Sequence, residues 1–210
     1  MNKTFFKVLR PGINTTYQDS GRYGLQHFGI CAGGCMDQES FLIANALICN
    51  QKEEGVLEFA YQGPMLELAQ GETNFVITGK VNFKIINSDN EIIDGVCNRS
   101  YNLKKGEKVD ILATKESTYG YFAVEGGFKI KKFFNSISTL TKFGVGPNEG
   151  KKININDEII LNKDSVIKKN FSIKISENET NVIRVLKGPQ YDYFSQISKK
   201  NFFSSNYNIS

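Results

Sequence analysis

Short alternating apolar and polar runs, turn signals every 8–12 residues or so, and one convincing amphipathic helix predict a mainly β fold with one or two helices, of the sandwich or barrel kind. The runs are Phe5–Arg10, Val56–Tyr61, Met65–Ala69, Asn74–Thr78, Asn82–Ile86, Lys108–Thr114, Tyr119–Glu125, Lys151–Ile155, Glu158–Leu161, Phe171–Ile175 and Asn181–Leu186. Each reads as a strand because a period of two puts alternate side chains on one face. Between them stand Gln70-Gly71-Glu72, Asn87-Ser88-Asp89-Asn90, Lys105-Gly106-Glu107 and Gly126-Gly127, which suit turns.

The helix is predicted over Gln38–Cys49, where Asp37 stands as N-cap and Phe41, Ala44, Leu47 and Ile48 recur at helical spacing. A second follows Pro189, with Phe194, Ile197 and Phe202 as a partial stripe. A polar stretch near Asn178–Asn181 divides the chain into a first domain, residues 1–180, and the start of a second lobe, residues 181–210. The closing aromatic residues, Phe202, Phe203 and Tyr207, read as a lobe begun and not completed.

Composition narrows the function. Of 210 residues, 40% are hydrophobic and 23% charged, which suits an ordinary globular domain. The net charge of +4 comes from scattered lysines and few arginines, so no basic stripe points to nucleic acid. The start, Met1 to Lys7, lacks the apolar run of an export signal, and no segment reaches the roughly 18–20 apolar residues of a membrane span. A soluble cytoplasmic protein is the expectation. Cys31, Cys35, Cys49 and Cys97 form no paired knuckle, and a single histidine is present, so no metal site is expected. The four thiols read as small buried side chains.

The polar, glycine-rich stretch from Gln18 to Asp37 is a shaped loop. Its glycines surround Asp19, Asp37, Arg22 and His27: two carboxylates, an anion-holding guanidinium and an imidazole that titrates near neutrality. Those are the parts of a polar active site. They are equally the parts of a structural loop, with Asp37 a cap, Asp19 and Arg22 an ion pair and His27 a packed or exposed side chain. The run Gly144-Val145-Gly146-Pro147-Asn148-Glu149-Gly150 has no Gly-Lys-Ser/Thr ending and reads as a long turn, not a phosphate cradle.

The run Gln18-Asp19-Ser20-Gly21-Arg22-Tyr23-Gly24, followed by Gly34-Cys35-Met36-Asp37 and Ala44-Asn45-Ala46-Leu47, resembles the biotin-dependent carboxyltransferase-like family, which takes in the C-type subunit of 5-oxoprolinase and the carboxyltransferase region of urea carboxylase. The likeness continues through Leu57-Glu58-Phe59, Gly63-Pro64, Thr78-Gly79, Tyr121 to Gly127, Ser138-Thr139 and Val185 to Gln190. It implies a cyclophilin-like β-barrel domain and a second lobe of which only the opening is present. It further implies a role within an ATP-dependent 5-oxoprolinase, acting on a small-molecule substrate with two other subunits, A-like and B-like. ATP would be used by the complex, and the chain carries no Met-Lys-Met signal for covalent biotin.

On that resemblance Asp19, Arg22, His27 and Asp37 are the candidate catalytic residues, with Arg22 on a carboxylate or phosphate and Asp19 or His27 moving a proton. Gln18, Gly21, Gly34, Gly79, Glu125, Gly126, Gly127, Ser138 and Thr139 are the candidate substrate-binding residues. The chain departs from the family pattern at Ile137, where an arginine is usual, and at Cys35 and Lys80, where a small residue is usual. A regulatory module that sequesters a kinase-inhibitor-like partner and an inactive truncated fragment are the alternative readings.

Overall fold

The structure is a computed structural model and describes residues 3–162, 170–175 and 185–207. Among the described residues, eleven strands form two antiparallel sheets. One sheet has the order β11-β1-β4-β9-β6-β7, built from β1 (Phe5–Arg10), β4 (Met65–Gln70), β6 (Val81–Ile86), β7 (Ile92–Asp94), β9 (Lys108–Thr114) and β11 (Glu158–Ile160). The other has the order β2-β3-β10-β5-β8, from β2 (Asn14–Gln18), β3 (Val56–Ala60), β5 (Glu72–Thr78), β8 (Ser100–Lys104) and β10 (Tyr119–Val124). The mainly β class expected from periodicity is what the chain adopts. No closed barrel joins the two sheets among the described residues.

The alternation of each strand decides which layer it serves. Leu57 and Phe59 of β3, Phe122 and Val124 of β10, and Phe75 and Ile77 of β5 face a core shared with Phe6, Val8, Leu66, Leu68 and Ile111 of the other sheet. Phe122 packs edge-on to Phe6 and tilted to Phe75, each with ring centroids 5.6 Å apart. The opposite face of the second sheet carries Val56, Val76, Tyr121 and Ala123, which pack with Phe41, Ala44 and Leu47 of helix α1 (Gln38–Leu47) and with Ile48, which follows it. A strand buried on both faces loses the polar alternation of a half-exposed one, and β3 is buried along its whole length. Two residues of this double layer, Glu58 and Tyr121, are polar and lie on the helix side.

Several expectations need correction. Lys151–Ile155 is not a strand: Ile153 is buried and its N–H donates to Thr15 O at 3.0 Å, but the segment crosses the end of β2 without pairing into a sheet. Phe171–Ile175 contributes a single bridge, Ser172 to Arg99. Strands β2, β7 and β8 lie outside the predicted runs, and β2 is instructive because Asn14-Thr15-Thr16-Tyr17-Gln18 has one apolar residue and yet is buried over four of its five positions. The strand expected at Asn181–Leu186 and the boundary near Asn178–Asn181 lie mostly outside the described residues. The chain forms two compact units, Met1–Lys174 and Ile175–Ser210. In the second, helix α3 (Gln196–Ser204) follows Ser195, which caps it by accepting from Ser198 N–H, and Ile197, Phe202 and Phe203 are exposed. Segment α2 (Pro147–Gly150) is a single turn in the first unit, with Asn148 and Glu149 at φ 52° and 56° in the left-handed region and not in a right-handed helix. No described helix is long and apolar enough to cross a membrane.

Phe122 fills the centre of the layer between the sheets, so Phe122→Ala should lower unfolding free energy by about 3–5 kcal/mol. Urea titration followed by circular dichroism measures it; a loss under 1 kcal/mol or so would mean the site collapses around the smaller side chain.

Candidate functional site

The loop between β2 and α1 is shaped by backbone that only glycine takes readily. Gly21 has φ +90° and a Cβ there would lie 2.8 Å from Ala32 O; Gly34 has φ +95° and a Cβ would lie 3.0 Å from the Ser20 carbonyl. Arg22 N–H donates to Ala32 O at 2.7 Å and Cys35 N–H to Asp19 O at 3.0 Å, so the loop folds back on itself.

What holds it down comes from more than a hundred residues away in sequence. Asp19 Oδ1 accepts from Gly21 N–H at 2.8 Å and from Ser136 Oγ at 2.7 Å, and Oδ2 accepts from Ile137 N–H at 2.8 Å. Gln18 Oε1 accepts from Ser138 Oγ at 2.6 Å, Gln18 Nε2 donates to Thr139 O at 3.1 Å, and Gly34 N–H donates to Ser138 Oγ at 2.8 Å. The Arg22 guanidinium, 2% exposed, donates from Nη2 to Ser138 O and from Nε to Phe133 O at 3.4 Å. Burial pulls its pKa below the ordinary arginine value, and the nearby Asp19 charge opposes that shift. Nη1 is buried with no hydrogen-bond partner among the described residues.

Of the residues singled out from sequence, the structure therefore brings together Gln18, Asp19, Gly21, Arg22, Gly34, Ser138 and Thr139. Asp19 and Arg22 make no direct ion pair among the described residues; each is spent on the 133–139 segment instead. His27 is outside the network: it sits exposed in a single helical turn, Gln26–Phe28, with its ring 3.9 Å from that of Phe28. Asp37 is the helix cap, accepting from Ser40 N–H at 3.1 Å and Ser40 Oγ at 2.6 Å. Gly79 closes the β5–β6 turn, where a Cβ would meet Tyr119 O at 2.9 Å.

Glu125, Gly126 and Gly127 form a second polar knot. Asn74 Nδ2 donates to Glu125 Oε2 at 2.9 Å, Gly126 N–H to Asn50 Oδ1 at 2.7 Å and Asn162 Nδ2 to Gly126 O at 2.9 Å. Asn50 Nδ2 also donates to Asn45 Oδ1 at 3.1 Å, tying the knot to the buried asparagine of α1. Between the two networks lies a cleft of about 340 Å³ lined by Asp19, Glu53, Glu54, Lys132, Ile137 and Asn162, among others. A carboxylate offers about four acceptor positions, and protein donors take three of those on Asp19.

Two functional-looking residues, Glu58 and Tyr121, lie in the family-like runs Leu57-Glu58-Phe59 and Tyr121 to Gly127 but are not among the site residues expected from the sequence. Glu58 Oε2 accepts from Met36 N–H at 2.7 Å and from the Tyr121 hydroxyl at 2.8 Å, while that hydroxyl accepts from Asp37 N–H at 2.7 Å. Desolvation raises the Glu58 pKa above the ordinary carboxyl value against the lowering effect of those two donors. Tyr121 is pushed up by burial and by Glu58. Cys35, packed beside them, is raised to about 11 by burial, so it is an unreactive thiol. The signal that could have found Glu58 is its place in an otherwise apolar strand. Cys35 is buried as expected, but Cys31 and Cys49 are exposed. No group of three or more His, Cys, Asp and Glu among the described residues is placed to hold a metal ion.

Two packed antiparallel sheets with a flanking helix, pinned by a glycine loop, define the class of domain. The chain belongs to the carboxyltransferase domain family, subdomains A and B, whose model matches residues 28–210. It is 28% identical to the C-type subunit of 5-oxoprolinase from Escherichia coli (strain K12) over 97% of this chain and 64% of that protein. It is also 28% identical to the corresponding 5-oxoprolinase protein of Haemophilus influenzae over 91% of this chain and 60% of that protein. Against the urea amidolyase of Lachancea kluyveri it is 27% identical over 97% of this chain and 12% of that protein. The crystal structure of the K. lactis urea amidolyase matches with a TM-score of 0.78 at 24% identity, covering 98% of this chain and 13% of that one. The chain thus spans 60–64% of the length of the two bacterial relatives.

Glu58 makes stability depend on pH. Its native pKa is above its unfolded value near 4.3 or so, so the folded state holds the extra proton and stability falls as pH rises from there through the native pKa. Glu58→Gln should remove that decline, so that the variant gains on wild type across this window. Urea midpoints at a series of pH values test it; a wild-type-minus-variant difference that stays constant with pH would contradict it.

Proposed function

We propose that this chain acts as a C-type subunit of an ATP-dependent 5-oxoprolinase, working with an A-like and a B-like subunit in the cytoplasm. The observation that carries this reading is the likeness, over 97% of the chain, to the C-type subunit of a bacterial 5-oxoprolinase. A lactam resists water because its nitrogen lone pair is delocalised into the carbonyl. ATP removes that resistance when its γ-phosphoryl group passes to the lactam oxygen and ADP leaves. Water then adds at the activated carbon, the C–N bond breaks with a proton delivered to nitrogen, and phosphate departs, giving glutamate.

In this reading Asp19 and Arg22 are positioning residues, because both carboxylate oxygens of Asp19 and the Nε and Nη2 groups of Arg22 are engaged by the 133–139 segment. His27, exposed on the same loop, is the group free to exchange a proton. ATP is assigned to a partner. In the glycine-rich 144–150 turn the Gly150 and Lys151 N–H groups already donate to Gly146 O and Asn148 O, at 3.2 and 3.0 Å, and are not free for phosphate. No covalent biotin is required.

A second reading has one observation in its favour: the loop exposes Tyr23, Phe28 and Met36 by 67%, 70% and 64%, an apolar surface suited to holding a partner without turnover. Co-expression with the A-like and B-like subunits separates the two. The first predicts a complex whose ATP hydrolysis depends on 5-oxoproline and falls about a hundredfold in His27→Ala with assembly intact. A complex without turnover supports the binding role; failure to assemble counts against both.

A further inference from the structure

The segment that clamps the glycine loop also carries a tight hairpin. Phe133 N–H donates to Ser136 O at 2.8 Å and Ser136 N–H to Phe133 O at 3.2 Å, and the two residues between them, Phe134 and Asn135, have φ +52° and +63°. Asparagine takes that left-handed backbone readily; phenylalanine does not. The ring at the tip is nonetheless 55% exposed, so most of it is left for a surface other than its own core. The feet of the hairpin are fixed, because Phe133 O accepts from Arg22 Nε while Ser136 Oγ and Ile137 N–H donate to Asp19. A turn already held in place has little freedom to lose on docking.

The cleft beside Asp19 is complementary to that tip. Its volume of about 340 Å³ falls within the range of sites for small organic groups, about 300–1,000 Å³, and so has room for one aromatic side chain. Phe128, Ile130 and Ile137 give it apolar walls, and Gln51, Glu53 and Glu54 give it a polar rim with two carboxylates. Phe134 of the same chain is not among the residues that line it. Charge is left over on both surfaces: Glu53 at the rim and Lys131 and Lys132 beside the hairpin are exposed, and none of the three is in an ion pair among the described residues. The tip is thus aromatic and flanked by cations, and the cleft apolar and rimmed by anions.

Both surfaces belong to every copy of the chain, and they lie side by side. Ile130, Lys132 and Ile137, which flank the hairpin in sequence, also line the cleft. A two-fold rotation that brings one hairpin to a second copy's cleft therefore brings the second hairpin to the first cleft, so each contact is made twice in one closed pair. We propose that two copies of this chain associate in this way, Phe134 of each entering the cleft of the other, with Lys131 and Lys132 facing Glu53 across the interface. The inference rests on the hairpin and the cleft and stands apart from the role in a 5-oxoprolinase.

Sedimentation velocity of the full chain, without other subunits, over about 1–300 µM tests it, and a monomer–dimer equilibrium with a micromolar dissociation constant is expected for an interface of small size. Phe134→Asn removes the ring and suits the left-handed backbone, so it should raise the dissociation constant about tenfold or more while the melting temperature stays or rises. The double variant Lys131→Glu, Lys132→Glu and the single variant Glu53→Lys should each be monomeric, with melting temperatures close to wild type. An equimolar mixture of those two variants should form a heterodimer of about wild-type affinity, because every facing pair then carries opposite charges again. Lys105→Glu, in the turn between β8 and β9, should dimerise as wild type. A chain that stays monomeric throughout, a dimer unmoved by Phe134→Asn, growth beyond two copies, or a mixture that does not restore the dimer would overturn the assignment.

Discussion

One buried carboxylate stands at the centre of the hydrogen bonds that join two distant stretches of chain, the glycine loop and the 133–139 segment. Asp19 stands at the end of β2, and by accepting from Ser136 Oγ and Ile137 N–H it fixes the 133–139 segment against the glycine loop. The hydrogen bonds from Arg22 to Ser138 O and from Ser138 to Gln18 then fall into place around it. Bonds to a charged group contribute about 1.5–3 kcal/mol each, and the penalty for stranding a buried partner is of the same order. The loop's position is therefore set by polar satisfaction more than by apolar packing. Its apolar side chains, Tyr23, Phe28 and Met36, point to solvent.

The layers beneath explain why such a network can exist at all. Phe6, Phe59, Phe75 and Phe122 fill the space between the sheets, and α1 covers the far side of the second sheet. With the apolar work done there, the edge strand β2 can bury Thr15, Thr16 and Gln18: Thr15 Oγ1 donates to Pro11 O, and Gln18 Nε2 donates to Thr16 Oγ1 and to Thr139 O of the 133–139 segment. Glu58 and Tyr121 use the same logic under the helix: opposed in register across β3 and β10, they hold Met36 and Asp37 where the loop becomes α1. The two polar clusters grip the loop near its two ends.

The strands with strong alternation, β1 and β9, were legible to the residue, as was the cap of α1 by Asp37, because local periodicity and a local hydrogen bond determine them. β2 was invisible for the opposite reason: its burial is of threonine and glutamine, and only long-range pairing makes that tolerable. Lys151–Ile155 has the alternation of a strand, yet only Ile153 reaches the core and no sheet edge receives its neighbours. At the site, the sequence marked Asp19, Arg22 and Ser138 as a group by motif. It could not reveal that Asp19 and Arg22 both hydrogen-bond to the 133–139 segment while His27 stands apart, since nothing local encodes a partner more than a hundred positions away. Glu58 looked like one polar residue in a strand until Tyr121 was placed across from it.

Amide hydrogen exchange at Gly21, Gly34 and Ile137 is the most direct measure of the Asp19 clamp. In the wild type these three N–H groups should exchange slowly, and Asp19→Ala should release all three while the amides of β5 and β10 keep their protection. Fast exchange in the wild type, or protection that survives the substitution, would contradict the idea that this carboxylate holds the loop.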